Sequence, residues 1–487
     1  MNVLDNAMGS GHFLVRATEW LADQIVYHPT TEFKVKEIGR GLSQEQAEIS
    51  YWRRRVVEAC IYGADLNPLA VELSKLSLWL TCIAVNEPLN FLDHHLRTGN
   101  SLVGARVEEF HTLPDYASKE QIALSYGRDL SAAVSEAIKE IEQIEGEAST
   151  DIEIVKRKEG RWRDEVLERL RPFKEIGNLW IAAASGMKLN EAEYVRLATG
   201  LLKPPHPRSK DAELLKALQS RTKGDLDMTA TAIKPFHWEL EFPDAFYNDD
   251  GSRKENPGFD AILGNPPYIS TQTSSGFDFR GLLDRRFSFV DDLYVHFVFE
   301  GFRLLRHGGL FGYIISDTFF TLSTKERMRE LLQRQRLMIL GQCDPFRATV
   351  DAAIFVAQKA NPAADDNIIF VQARYPMGKT APDKELVELA EKPMPPLLLG
   401  SERLSADQVQ YPVYHGSQGC LRIHKSSSEP WRHAIKKVFF EPTATIIRLY
   451  DTFNPPLKSF SINGGTKLER QRSSMTTNLQ SRSTSKP

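Results

Sequence analysis

The chain is poor in cysteine, has no long apolar run and carries almost no net charge. Its 487 residues include only four cysteines, none of them paired at the spacing of metal ligands: Cys60, Cys82, Cys343 and Cys420. This excludes a disulfide scaffold and a cysteine-based zinc site, and favours reduced thiols in a cytoplasmic protein. No signal peptide and no apolar segment of membrane length is visible. We therefore expect a soluble cytoplasmic protein.

The charge and size of the chain limit its possible functions further. A formal net charge of -3 gives no overall signature of a nucleic-acid-binding protein, so any DNA-binding surface must be local. The apolar and charged fractions are those of an ordinary globular protein, and the length allows two or more domains with their own cores.

The most informative segment is residues 264–270, Gly-Asn-Pro-Pro-Tyr-Ile-Ser, which follow an apolar run at residues 259–263. The run is predicted to be a buried strand, and the two prolines prevent it from continuing as paired β-structure beyond Asn265. Because a proline restricts the residue before it, we expect the Asn265 side chain and the Pro266 carbonyl to project from the sheet edge. With the ring of Tyr268 close by, these acceptors suit a flat substrate that carries an NH2 group.

A glycine turn follows the first predicted strand, which ends at residues 3–5. Gly9 and Gly11 lie in this turn, and apolar residues at helical spacing come next. Glycines here allow the backbone to approach a ligand at the carboxyl end of a parallel sheet. An ordinary tight turn explains the same pair equally well.

Polar residues also end the second and third predicted strands. The second ends at Asp65, after which Asn67 and Pro68 begin an amphipathic helix. Asp65 is placed to accept hydrogen bonds from ribose hydroxyls, although a carboxylate is also favoured at the start of a helix. The third strand is predicted within residues 96–102 and brings Asn100 to the same edge.

Strands and helices alternate again after the two prolines. The predicted elements are a helix over residues 292–305 closed by Gly308 and Gly309, a strand over 310–315, a basic helix over 322–335, and strands over 337–343 and 352–357. This alternation predicts an α/β fold with a doubly wound parallel sheet.

Residues 106–235 differ in character, because apolar residues recur at helical spacing among many charges. They predict an inserted helical subdomain. Five of its basic residues are interpreted either as a solvated face or as a local patch for DNA phosphates: Lys156, Arg157, Lys158, Arg161 and Arg163.

Four segments, in this order, resemble the cofactor-binding and catalytic motifs of class I DNA adenine-N6 methyltransferases: residues 5–13, 63–68, 99–104 and 264–268. Residues 236–243, Phe-His-Trp-Glu-Leu-Glu-Phe-Pro, are similar to a stretch of the large bacterial members from restriction and phage-exclusion systems. The resemblance covers about residues 1–360. It implies a Rossmann-like methyltransferase sheet that uses S-adenosyl-L-methionine (AdoMet), with a helical insertion and a partial C-terminal recognition region, apparently in a truncated member.

The resemblance also implies roles for individual residues. Asn265 and Pro266, in the motif completed by Pro267 and Tyr268, would accept the amino hydrogens of an adenine flipped out of double-stranded DNA. Tyr268 and Phe346 would stack on that base, and the alternative for Phe346 is a side chain that fills the core. Seven residues would form the AdoMet site: Asp5 at the methionine amino group, Asp65 at the ribose, Asn100 at the adenine amine, and Gly9, Gly11, Phe13 and Asn67 around them. No metal is expected.

The chain departs from the family at its first motif. Asn6 stands where family members usually have proline, and we expect it to loosen the turn. Family members also carry residues upstream that complete the first strand and wall one side of the cofactor pocket.

The expected function is therefore AdoMet-dependent methylation of adenine N6 at a specific DNA sequence, in a restriction-modification or phage-defence system with possible further subunits. One alternative is a methyltransferase of protein glutamine, which shares Asn-Pro-Pro-Tyr but is much shorter. Another is a truncated, inactive or partner-dependent fragment. Cytosine-N4 enzymes tend to begin the motif with Ser or Asp, and no nuclease motif is apparent, so neither activity is expected.

Five regions follow from this interpretation. They are an AdoMet-binding half at residues 1–105, the helical insertion at 106–235, a catalytic half at 236–360, the start of a target-recognition region at 361–466, and a disordered tail at 467–487. The tail is predicted from its richness in Ser, Thr, Gln, Arg and Lys.

Overall fold

The structure of the protein is a computed structural model. It describes residues 1–35, 43–82, 88, 90–114, 127–270, 279–343, 352–363, 366–371 and 413–417. Phe346, most of the predicted recognition region and the predicted tail lie outside the described residues.

One sheet contains the strands of the described part of the chain, in the order β3-β2-β1-β4-β5-β7-β6-β8-β9. The strands are β1 (Val3–Asp5), β2 (Ile61–Asp65), β3 (Leu96–Thr98), β4 (Phe259–Gly264), β5 (Leu305–Ser316), β6 (Arg336–Cys343), β7 (Ala352–Gln358), β8 (Asn367–Val371) and β9 (Val413–Ser417). β1 to β5 pair in parallel, whereas β7 is antiparallel to both β5 and β6. The predicted Rossmann-like, doubly wound methyltransferase sheet is confirmed.

The order of the strands reverses beside β1. The chain adds β2 and β3 on one side of β1 and later returns to place β4 on the other side, where Val3 pairs with Ala261. Sheets of this kind bind ligands at the carboxyl ends of the strands where the order reverses. Asp5 and Gly264 are the last residues of the two strands at this point, so both border the expected crevice.

The helices of the described part of the chain connect these strands. They are α1 (His12–Val26), α2 (Gln44–Ala59), α3 (Pro68–Thr81), α4 (Gly127–Gly146), α5 (Ile152–Arg161), α6 (Glu168–Ala184), α7 (Glu191–Leu202), α8 (Lys210–Met228), α9 (Trp238–Glu241), α10 (Pro243–Phe246), α11 (Phe279–Phe287), α12 (Leu293–Leu304), α13 (Thr318–Thr321) and α14 (Glu326–Gln333). Two 3-10 turns, Val107–His111 and Ser323–Lys325, and two π turns, Trp162–Leu167 and Thr229–Ile233, complete the set. None of these helices is long and apolar enough to cross a membrane.

The insertion helices share one apolar core with the sheet. The positions that predicted α4, among them Val134, Ile138 and Ile141, are buried. They belong to the same continuous core as Leu4 of β1 and Tyr62 of β2. The insertion is therefore packed into the methyltransferase sheet. Its boundaries as a domain remain a prediction.

The predicted ending of α12 was wrong. The helix stops at Leu304 and β5 begins at Leu305, so Gly308 and Gly309 lie inside the strand. The pairing of β4 with β5 is irregular here, and Gly308 has a φ of 80°. Because a glycine pair fits both a helix end and a bulged strand, the sequence did not distinguish them. The basic helix predicted over residues 322–335 is also shorter, since a 3-10 turn precedes α14.

Candidate active site

The tips of β1 and β4 touch directly. Gly264 ends β4, and a Cβ atom on it would lie 2.6 Å from Asp5 Oδ1 and 3.3 Å from Tyr313 Cε1. Only a residue without a side chain lets the three strands β1, β4 and β5 approach this closely. The loop that begins at Asn265 therefore starts beside Asp5, and the two predicted halves of the site meet.

Asn265 presents an unused acceptor. Its Oδ1 atom is buried and has no hydrogen-bond partner among the described residues, and the next residue, Pro266, is buried as well. An unsatisfied buried polar atom costs about 1–3 kcal/mol, so Asn265 Oδ1 is expected to bind a partner such as water or a ligand. The two prolines fix the backbone that holds this atom in place.

Tyr268 is backed by a second tyrosine. It is partly buried and packs edge-on against Tyr294, with ring centroids 6.1 Å apart and planes at 78°. Tyr294 is in the first turn of α12, and the neighbouring Leu293 N–H donates to the carbonyl of Ile269 at 3.0 Å. The chain after the Asn-Pro-Pro-Tyr motif is thus tied to the start of α12.

Tyr294 is itself held from two sides. Its hydroxyl hydrogen-bonds to Thr318 Oγ1 at 2.9 Å, and the ammonium of Lys325 lies 5.2 Å from its ring centroid. Lys325 is only 3% exposed and forms ion pairs with Asp291 and, at 2.5 Å, with Asp292. Burial opposes the charge of this lysine, but the neighbouring Tyr294 and carboxylates outweigh burial and raise its pKa.

Asp5 is a buried carboxyl group with one unused oxygen. It is 1% exposed, and its Oδ1 accepts a hydrogen bond from Ala7 N–H at 3.0 Å, while Oδ2 has no partner among the described residues. Burial raises the pKa of Asp5 from 3.8 to about 7, the Ala7 hydrogen bond opposes this rise, and the charge of Asp65 adds to it. The group is poised to change charge near neutral pH.

Asn6 is held firmly, contrary to the expectation that it loosens the turn. It is fully buried, and its Oδ1 accepts a hydrogen bond from the hydroxyl of Tyr313 on β5. Its backbone carbonyl accepts from Ser101 Oγ at 2.6 Å. These contacts join the end of β1 to β5 and to the segment after β3, and they supply constraints where the family usually has a proline ring.

Asp65 connects the first two motifs. One carboxylate oxygen accepts from Gly9 N–H at 2.9 Å and the other from Asn67 N–H at 2.8 Å. Asn67 also caps α3, as predicted. Gly11 lies against the same helix, since a Cβ atom on it would be 2.4 Å from Ser74 Oγ. Gly11 thus permits close packing of α1 on α3.

The remaining cofactor-site candidates lie along the same edge. Phe13 is partly exposed at the start of α1. Asn100 is buried, its Oδ1 accepts from Leu102 N–H at 3.2 Å, and its Nδ2 has no partner among the described residues. The unused group is a donor, which suits a ring nitrogen better than an amine. The expected contact of Asn100 with the adenine amine stays a prediction.

Unused polar atoms therefore lie on residues that end or closely follow β1, β3 and β4. They are Asp5 Oδ2, Asn6 Nδ2, Asn100 Nδ2 and Asn265 Oδ1. Sequence reasoning singled out Asn6 but missed its bond to Tyr313, and it missed Tyr294 and Lys325. Their partners are distant in sequence, and no local pattern identifies such contacts.

His94, His95 and Glu145 form the three-residue group in the described part of the chain that could hold a metal ion. The two histidine rings are tilted by 32° with centroids 4.0 Å apart, and His95 Nε2 is already 3.0 Å from Glu145 Oε1. Burial lowers the pKa of His94 well below its usual value, and the charges of His95, Lys158 and Arg97 lower it further. The cationic surroundings and the close contact of the two rings favour a packing role over a metal site.

The five basic residues considered as a patch for DNA phosphates are paired with acids. Each of the five forms an ion pair: Lys156 with Glu153, Arg157 with Glu147, Lys158 with Glu58, Arg161 with Glu140 and Arg163 with Asp164. Lys158 is buried and cannot be part of a solvated face. These pairs favour a compensated surface over a patch for DNA phosphates.

Comparisons with known proteins identify the relatives of this chain. The family model of the Eco57I restriction-modification methylase matches residues 59–343. A putative type II restriction enzyme and methyltransferase of Methanocaldococcus jannaschii is 24% identical over an alignment of 406 positions, which covers 76% of this chain and 31% of that protein. The type II methyltransferase M.BanIII of Aneurinibacillus aneurinilyticus is 29% identical over an alignment of 204 positions, which covers 40% of this chain and 34% of that protein.

A solved structure is also similar. The ATP-dependent Type ISP restriction-modification enzyme LlaBIII bound to DNA matches 76% of this chain and 17% of its own, with 11% identity and a TM-score of 0.33. The chain thus spans about a third of the length of the two curated relatives it matches and less of this enzyme.

Proposed function

Because this chain belongs to the Eco57I restriction-modification methylase family, we propose that it transfers a methyl group from AdoMet to the N6 amino group of adenine in double-stranded DNA. The observation that carries the proposal is the buried, unused Oδ1 of Asn265. Asn265 follows Gly264, whose backbone lies against Asp5, and Asp5 also has an unused carboxyl oxygen. A restriction-modification or defence system is the proposed setting, with its other subunits as partners.

The substrate atom explains why acceptors are needed. The lone pair of adenine N6 is delocalised into the ring and is a poor nucleophile. Two acceptors that take the two amino hydrogens localise the lone pair and aim it. Asn265 Oδ1 and the Pro266 carbonyl have this role, and the prolines keep them in place before the substrate arrives, so little reorganisation is required.

The residues at the carboxyl ends of β1, β2 and β3 fit the cofactor. Asp5 Oδ2 would accept from its ammonium group, Asp65 would accept from the ribose hydroxyls, and Asn100 Nδ2 would donate to the adenine ring. The unused atoms of Asp5 and Asn100 are the observation that supports this fit. When bound, AdoMet supplies a methyl group on a positively charged sulfur. No metal ion is required by these residues.

The target base must leave the duplex to reach Asn265. Tyr268 offers a ring on which the flipped adenine would stack, and base stacking on an aromatic side chain contributes about 1–3 kcal/mol. Phe346 is proposed as a second stacking residue by family resemblance.

Product analysis tests the proposal. The protein is incubated with methyl-labelled AdoMet and DNA from a methylation-deficient host, and the DNA is digested to nucleosides. Label in N6-methyldeoxyadenosine is the expected result. Label in N4-methyldeoxycytidine, or in added protein instead of DNA, would refute the proposal.

The Asn265→Ala variant tests the acceptor role. It should lose transfer to DNA while AdoMet binding, measured by calorimetry, stays close to that of the wild type. Asn361→Ala is the matched control, since Asn361 is an exposed asparagine remote in sequence from the motif. Equal loss of transfer and cofactor binding in Asn265→Ala would assign Asn265 to the structure rather than to the chemistry.

A further inference from the structure

The prolines of the catalytic motif fix its backbone but not the ring of Tyr268. Pro266 and Pro267 restrict φ at their own positions. The orientation of the Tyr268 side chain depends on χ1 and χ2, which packing must set. One aromatic contact of Tyr268 is with Tyr294, at 6.1 Å between ring centroids and 78° between ring planes.

We infer that Tyr294, clamped by Lys325 and Thr318, is a positioning residue that sets the Tyr268 ring for stacking on the target base. This inference rests on the proposed function, because it assigns the ring a base as its partner. Tyr294 touches neither the base nor the cofactor and acts through Tyr268.

The clamp is built from buried and mutually satisfied groups. Tyr294 is 1% exposed, so its ring cannot turn without displacing the core. Thr318 holds the hydroxyl end, and Thr318 Oγ1 is in turn 3.0 Å from Ser316 Oγ at the end of β5. These bonds fix the position of the Tyr294 ring relative to the end of β5. β5 pairs with β4, the strand that ends at Gly264.

Lys325 fixes the other side of the clamp. Its ammonium lies over the Tyr294 ring and bridges Asp291 and Asp292, the two residues just before α12. A cation over an aromatic face is attracted by the ring quadrupole, more strongly when it is desolvated. Lys325 thus connects the Tyr294 ring to the turn before α12. Leu293, the next residue, donates its N–H to the Ile269 carbonyl just after the motif.

Three variants and two measurements test the inference. Tyr294→Leu removes the ring, Tyr294→Phe keeps the ring and loses the hydroxyl, and Tyr194→Leu is the matched control. Tyr194 is also a buried tyrosine, and its hydroxyl donates to the Phe110 carbonyl at 2.9 Å within the insertion. The first measurement is the single-turnover rate of N6-methyladenine formation in DNA from a methylation-deficient host, with calorimetric AdoMet affinity beside it.

Tyr294→Leu should transfer about ten- to hundredfold more slowly than the wild type, as expected for a misplaced reacting group. Its AdoMet affinity should change little, and Tyr294→Phe should restore most of the rate. Tyr194→Leu should lower the melting temperature while keeping the rate. A wild-type rate in Tyr294→Leu, or an equal loss of rate and cofactor affinity, would overturn the inference.

The second measurement does not depend on activity. Protein labelled with 3-fluorotyrosine is observed by 19F NMR, and the Tyr268 resonance is assigned by its absence in Tyr268→Phe. The resonance should move in Tyr294→Leu and stay in Tyr194→Leu, and an unmoved resonance would overturn the inference. If the wild-type protein makes no N6-methyladenine while the resonance moves, the proposed function fails and the contact between the two rings stands.

Discussion

Replacing Asp5 by asparagine should stabilise the protein, and increasingly so as the pH rises. Burial raises the pKa of Asp5 from 3.8 to about 7. Between these two values the folded state holds a proton that the unfolded state has lost, so stability falls as the pH rises through this window. The shift of about three pKa units corresponds to roughly 4 kcal/mol at 1.36 kcal/mol per unit, lost in full above the folded pKa.

The assay is urea unfolding of the wild type and of Asp5→Asn at pH 5 and pH 8. At pH 5 the folded wild type still has a neutral Asp5, while at pH 8 it must bury the charge. The advantage of the variant should therefore grow by about 3 kcal/mol between the two conditions, because about two of the three pKa units lie in this interval. The same variant should bind AdoMet more weakly, since it lacks the charge proposed to meet the ammonium group.

Asp260→Asn is the control, and its expected effect on the free energy of unfolding is opposite to that of Asp5→Asn. Asp260 is partly buried, and although burial raises its pKa, hydrogen bonds from Asn2 and Arg306 outweigh burial and lower the pKa below the ordinary value. Loss of that carboxylate should destabilise the protein, and most clearly above the usual pKa of an aspartate. If the difference between Asp5→Asn and the wild type is the same at pH 5 and pH 8, the reasoning about Asp5 is refuted.

Three further outcomes follow from the contacts at the same edge. The affinity for AdoMet, measured by calorimetry, should rise as the pH passes through about 7, because Asp5 then becomes charged; a flat profile would contradict this. Tyr313→Phe should lower the free energy of urea unfolding by about 1–3 kcal/mol, because it leaves the buried Asn6 Oδ1 without its donor, and a neutral result would show that this bond contributes nothing. Gly264→Ala should lower both the melting temperature and the rate of methyl transfer, since its Cβ would lie 2.6 Å from Asp5 Oδ1. An unchanged melting temperature and rate would show that β1 and β4 can move apart without loss of stability.

Local chemistry made much of the fold predictable. The start of α3 could be predicted because Asn67 can cap a helix and Pro68 suits its first position. The end of β4 could be predicted because prolines cannot continue a paired strand. Gly308 and Gly309 misled the prediction, since glycine suits both a helix end and a bulge in a strand. The prediction succeeded where the residues suited a single local structure and failed where they suited two.

The candidate site was predictable only in part. The structure places Asp5 beside the strand that leads to Asn265, as expected from two strands that end at one edge of a parallel sheet. The contact between Asn6 and Tyr313 joins residues 307 positions apart, and neither residue type signals the other in the sequence. The backing of Tyr268 by Tyr294 is hidden for the same reason. Long-range contacts of this kind are set by packing, which local patterns do not encode.

The pairing of β1 with β4 has a consequence for how the protein is made. Val3 cannot find Ala261 until the intervening chain has left the ribosome, which takes roughly 13–50 s at about 5–20 residues per second. During that interval one edge of β1 has no partner strand, and the core shared with the insertion lacks the elements from β4 onward. An unpaired edge invites association with other chains. Folding of this protein should therefore depend on the rate of translation and on chaperones that bind nascent chains.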